Sequence, residues 1–103
     1  MSTKTKKTAK TIDYNDYLFT TLRDRKKALL YLREAIEDEN PQVFLLALRN
    51  VAQANGGVTE LAKKTGLDRV NLYRLLSKNG NPRLDSLNLI LRSLGMRISF
   101  EKV

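Results

Sequence analysis

The chain predicts an all-α fold of five or so helices around a helix-turn-helix core, closed by one short C-terminal β-strand. Three observations predict it. Apolar residues recur at helical spacing from Asp24 to Leu94, short Gly, Asn and Pro breaks separate the runs, and only after Gly95 does the pattern change to a period of two. At 103 residues the chain is long enough for one core and too short for two. The expected organisation is a basic arm over residues 1–12, an N-terminal helical segment over 13–57 and a helix-turn-helix unit with its strand over 58–103. Residues 13–103 should form one compact domain.

Composition narrows the function before any motif is read. Hydrophobic residues make up 42% and charged residues 29%, which suits a soluble globular chain and leaves no apolar run long enough for a bilayer. Cys and His are both absent, so disulfides, thiolate or imidazole catalysis and the common zinc sites lose their parts. No cofactor or metal is expected, and nothing argues for an enzyme. Nineteen Lys and Arg against eleven Asp and Glu give a net charge of +8, which points to a polyanion or an acidic partner.

That charge is unevenly placed. Residues 1–12 carry Lys4, Lys6, Lys7 and Lys10 without an acid, and should be a disordered arm. No apolar stretch follows them, so the arm does not read as a secretory signal, and the expected location is the cytoplasm. Residues 13–57 balance six basic against seven acidic side chains, whereas residues 58–83 hold six basic against two acidic. The ordered excess lies between Val58 and Arg83, where phosphate contacts are therefore sought.

Each element has its own signal. Tyr14, Tyr17, Leu18, Phe19 and Leu22 form a brief aromatic and apolar cluster that should dock onto the rest. Asp24 is an N-cap for an amphipathic helix to Asp38, with Ala28, Leu29, Leu32, Ala35 and Ile36 inward. Its charges oppose its own dipole, with Arg25, Lys26 and Lys27 at the N-terminal end and Glu37, Asp38 and Glu39 at the other. Either this is a solvated face or the ends are kept for a partner. Asn40-Pro41 starts the next helix, whose run from Val43 to Leu48 should make it the central rod before Gly56-Gly57 stops it. Near the end, Met96, Ile98 and Phe100 alternate with Arg97, Ser99 and Glu101. A lone strand must find an edge, so these three residues are expected either to pair with a second copy about a two-fold axis or to lie as an extended tail on their own core.

Between Val58 and Ser77 the sequence reads VTELAKKTGLDRVNLYRLLS. Ala62 sits where steeply crossing helices leave room for a methyl group, and Gly66 where the turn favours a left-handed backbone. Leu61, Leu67, Leu72 and Leu75 are spaced to meet beneath both helices, and Asp68 caps the second helix. With Leu72, Leu75 and Leu76 inward, the 100° step gathers Val70, Tyr73, Arg74 and Ser77 on the outward face. Such a face suits the major groove. Arg74 can read a guanine O6/N7 pair, Val70 can touch a thymine methyl, and Tyr73 and Ser77 can reach bases or phosphates. Arg69, Lys63, Lys64, Lys78 and Arg83 stand where a phosphate backbone would pass. Asn71 lies at the margin.

The stretches FLLALRNVAQANGGVTELAKKTGL and LYRLLSKNGNPRLDSLNLILRSLGMRISF resemble the antidote (antitoxin) proteins of HigA-like and related addiction modules, which carry lambda-repressor-type (XRE) helix-turn-helix domains. The likeness runs from about Tyr17 to Phe100 and is most specific at Leu72, Tyr73, Leu76, Ser77, Gly80, Asn81 and Pro82. Arg83 departs from it, standing where relatives often have a small capping residue. The resemblance implies an antitoxin that neutralises a small RelE/ParE-superfamily toxin and represses its own operon. It places operator contacts at Arg69, Val70, Tyr73, Arg74 and Ser77. For the toxin, Tyr14, Tyr17, Leu18, Phe19 and Leu22 are the candidate anchors, unless they merely cover the long helices. The alternative reading is a stand-alone regulator of phage-repressor type, and a third is a module whose basic face binds an acidic protein. The partners expected are thus double-stranded operator DNA, a cognate toxin and a second copy, with no membrane.

Overall fold

The computed structural model describes residue 14 and residues 16–103, and the basic arm expected over residues 1–12 lies outside the described residues. Among the described residues six helices follow in order: α1 (residues 16–22), α2 (Arg25–Ile36), α3 (Pro41–Ala54), α4 (Gly57–Thr65), α5 (Arg69–Leu75) and α6 (Leu84–Ser93). Helix starts follow the cap chemistry. Asp24 accepts from the N–H groups of Lys26 and Lys27 at 2.9 and 3.2 Å, and Asn40 accepts from Gln42 N–H at 3.0 Å with Pro41 in the first turn. These bonds satisfy donors that the first helical turn leaves open.

Helix α3 is the central rod. Leu45, Ala47, Leu48, Val51, Ala52 and Ala54 are all buried, and both α2 and α4 pack against it. Helix α4 in turn packs against α5 and α6. One continuous core joins Leu22 of α1, Leu32 of α2, Leu48 of α3, Leu61 of α4, Leu72 of α5 and Ile90 of α6. Each fully buried leucine of this kind contributes about 1.5–3 kcal/mol. On α2 the inward stripe is narrower than its pattern suggests. Ala28 and Leu32 are buried and Ala35 partly so, while Leu29 and Ile36 remain exposed at the edges of the stripe.

The C-terminal β-strand predicted from the period-two pattern is absent. No strand occurs among the described residues, and residues 96–103 run without regular secondary structure. A strand exists through its ladder, and the described residues supply no second strand to pair with. The segment is used otherwise. Met96 donates its N–H to the Leu91 carbonyl at 2.8 Å and packs its side chain on the core, and Glu101 reaches Arg33 of α2 at 3.6 Å. The segment therefore runs beside α2. Of the three residues expected to pair two copies, Met96 is consumed by the core, while Ile98 and Phe100 stand 39% and 94% exposed.

Candidate nucleic-acid interface

Two short helices, α4 and α5, are joined by the three residues Gly66, Leu67 and Asp68. Gly66 has φ 77°, in the left-handed region, and its N–H closes α4 on the Ala62 carbonyl at 2.9 Å. A Cβ there would touch nothing within 4 Å, so conformation and not space calls for glycine. Thr65 braces the turn, its hydroxyl donating to Leu61 O at 2.8 Å and accepting from Leu67 N–H at 3.1 Å. Asp68 then caps α5 by accepting from Asn71 N–H at 3.1 Å.

Helix α5 divides cleanly into two faces. Leu72 is 0% exposed and Leu76, at its C-cap, is also buried, whereas Val70 and Tyr73 are 65% and 58% exposed. Arg69, Arg74 and Lys78 are exposed beside them. Leu75, expected in the small core, is only half-buried and lies outside the core cluster, and Leu76 takes that place. Leu76 donates its N–H to the Leu72 carbonyl at 3.0 Å and, four residues on, stays on the same buried side, while Leu75, about 60° round the other way, falls at the flank.

The far end of α5 is held by α3. Arg49 donates from Nη1 to the Leu76 carbonyl at 2.8 Å, and Gln42, seven residues earlier on the same side of α3, donates to the Gly80 carbonyl at 3.5 Å. Gly80 itself is buried, and a Cβ on it would collide with the Leu75 carbonyl, so the loop from Lys78 to Pro82 closes directly on the helix end. Sequence reasoning missed Arg49 and Gln42. The signal available was that Arg49 is the one charged residue in the otherwise apolar and neutral run of α3.

Other predicted side chains are placed less uniformly. Ser77 is half-buried and its hydroxyl donates to Arg74 O at 2.8 Å, which leaves the oxygen lone pairs for an outside donor. Arg83, preceding α6, pairs with Asp85 at 3.3 Å and makes no side-chain cap. Lys63 is exposed on α4. Lys64 does not join the α5 face. It lines a recess with Arg23, Arg25 and Asn55 that includes no residue of α5, because it lies 100° further round α4 than Lys63. Of the proposed toxin anchors, Tyr14 and Tyr17 are exposed, Leu18 and Phe19 are partly buried against the core, and Leu22 is wholly inside it and presents nothing to a partner.

The only ion pairs among the described residues are Arg33–Glu101 and Arg83–Asp85. Arg69, Arg74, Lys63 and Lys78 thus face solvent without a carboxylate partner there. Among the described residues no cluster of three or more acidic ligands is gathered at metal-binding distance, and no helix is long and apolar enough to cross a membrane.

The family model described as "Probable addiction module antidote protein" matches residues 8–102, almost the whole chain. The chain belongs to that family of addiction-module antidotes. A relative described as an uncharacterized protein of Haemophilus influenzae is 27% identical over 81 residues, covering 79% of this chain and 82% of its own length. No solved structure matches the chain. Membership makes the protein the antidote of an addiction module, and such a module implies a cognate toxin as partner.

Proposed function

We propose that this antidote protein is a helix-turn-helix repressor of lambda-repressor (XRE) type that binds the operator of its own operon as a pair of copies, and that it neutralises a RelE/ParE-superfamily toxin by direct contact. The observation that carries the DNA-binding half is the α5 surface. Val70, Tyr73 and Arg74 project together from a helix whose opposite side, Leu72 and Leu76, is sealed in the core. Arg74 reads base edges, while Arg69, Lys78 and Lys63 hold phosphates and set the register.

A band-shift titration against the upstream promoter, repeated over a range of salt, tests this. Arg74→Ala should cost about 1–3 kcal/mol on the operator and much less on unrelated duplex. Lys78→Ala should weaken both alike and lower the salt slope by about 1. Equal affinity of the wild-type chain for operator and unrelated DNA would defeat the repressor reading. Tyr14 and Tyr17 are the exposed aromatic anchors for the toxin, and replacing both by Ala should cost about 2 kcal/mol or more in toxin affinity with the fold intact. Unchanged affinity would remove α1 from the toxin contact.

A further inference from the structure

Helix α2 starts at Arg25 after its Asp24 cap, carries Lys26 and Lys27 and no acidic residue in its first turn, and closes on Glu34 and its C-cap Glu37. Both groups oppose the helix's own dipole, so within a single copy they gain nothing from it. Neither do they gain from neighbours, since none of the four takes part in an ion pair among the described residues. Between the two charged ends, Leu30 is 62% exposed. Lys26, Leu30 and Glu34 follow at intervals of four and form one ridge on the outward side of the helix, away from Ala28 and Leu32.

A ridge ordered basic, apolar, acidic is complementary to itself when turned end for end. We infer that the outward face of α2, centred on Leu30, is a two-fold interface with a second copy of this chain, its helices running antiparallel. Residue 30 meets its own equivalent on the axis. Lys26 of each copy then meets Glu34 of the other, so every contact occurs twice. Lys27 adds its charge beside Lys26, and Glu37 extends the acidic end. Arg33 is the one like-charged neighbour of an incoming Lys27, and Glu101 already pairs with it at 3.6 Å. The same antiparallel arrangement sets the N-terminal end of one α2 beside the C-terminal end of the other.

The surface continues onto α3. Asn50 donates to the Tyr31 hydroxyl at 3.0 Å, which fixes the side of α3 that borders α2, and Leu46, one turn before Asn50, is 47% exposed on that side. Leu30 and Leu46 supply apolar contact, and the Lys stems add more. This interface rests on the two-copy part of the function proposed above and assigns it a location remote from α5.

Sedimentation velocity on the full chain without DNA, over a range of protein concentration and salt, tests it. The wild-type chain should dimerise, less so as salt rises. Lys26→Glu or Glu34→Lys alone should raise the dissociation constant about tenfold or more, because each reversal turns two attractive contacts repulsive. The double variant K26E/E34K restores the complementarity and should return to within about threefold of wild type. Circular dichroism confirms that each variant is folded. Single reversals without effect, or a double variant no better than either single, would overturn the interface. A wild-type chain that stays monomeric at about 0.5 mM in low salt would overturn both the interface and the two-copy proposal, while the Arg74→Ala comparison judges DNA reading independently.

Discussion

Arg49 ties the end of a seven-residue helix to the rod beneath it, and removing that tie has a calculable cost. Arg49→Met keeps most of the aliphatic stem and deletes the guanidinium that donates to the Leu76 carbonyl at 2.8 Å. A hydrogen bond from a charged donor contributes about 1.5–3 kcal/mol, and the partly buried setting argues for the lower half of that range. The cation also sits at the C-terminal end of α5, where complementing the negative end of the helix dipole is worth about 0.3–1 kcal/mol. Together these give a loss of about 2 kcal/mol, which for a domain of this size lowers Tm by about 10 °C. Urea unfolding followed by circular dichroism measures it, with the midpoint falling and the slope unchanged. Amide exchange should locate the effect, with α5 amides losing protection while those of α3 keep theirs relative to global unfolding. Arg49→Lys, which retains the charge on a shorter and less directional donor, should recover part of the loss. A destabilisation below about 0.5 kcal/mol, the scatter of ordinary surface substitutions, would refute the idea that this bond anchors the helix.

Two glycine substitutions should separate conformation from space. Gly66→Ala meets no neighbour, so its cost is that of a left-handed Ala, about 1 kcal/mol by urea unfolding, with operator affinity nearly unchanged. Gly80 lacks a positive φ, but Gly80→Ala drives a methyl group into the Leu75 carbonyl, so it should cost about 1–3 kcal/mol and weaken operator binding by displacing the end of α5. A Gly80→Ala variant as stable as wild type would show that the loop yields without disturbing the helix.

Local signals in the chain made the helices legible. Asp24 and Asn40-Pro41 mark starts that the cap bonds of α2 and α3 realise, and Gly66 and Asp68 mark the turn into α5. The outward set Val70, Tyr73 and Arg74 also follows from period alone, because a short helix with Leu72 inside has little choice about its other side. What failed required knowledge of neighbours. The alternation of Met96, Ile98 and Phe100 is a real period of two, but whether it becomes a strand depends on an available ladder, and here Met96 finds the core first. Leu29 and Ile36 share a stripe with Leu32 yet stay exposed, since the side of α2 buried in the core is the one that carries Ala28 and Leu32. Lys64 adjoins Lys63 in sequence, yet a 100° turn sends it to a different recess. Arg49 shows the opposite limit: its partner, the Leu76 carbonyl, is a backbone atom 27 residues away, which no side-chain pattern announces.

The recess lined by Lys64, Arg23 and Arg25 also receives the closing residues of three helices, Leu22 of α1, Asn55 after α3 and Leu94 after α6. Helix ends of that polarity each present roughly half a negative charge. Arg23 donates to the Ala54 carbonyl there, and the Arg25 guanidinium lies over Gly95. Much of the positive charge on this pole is consequently neutralised by the protein's own backbone. In the repressor proposed above, the unpaired cations Arg69, Arg74, Lys63 and Lys78 would then carry a larger share of the steering toward a duplex than this pole does.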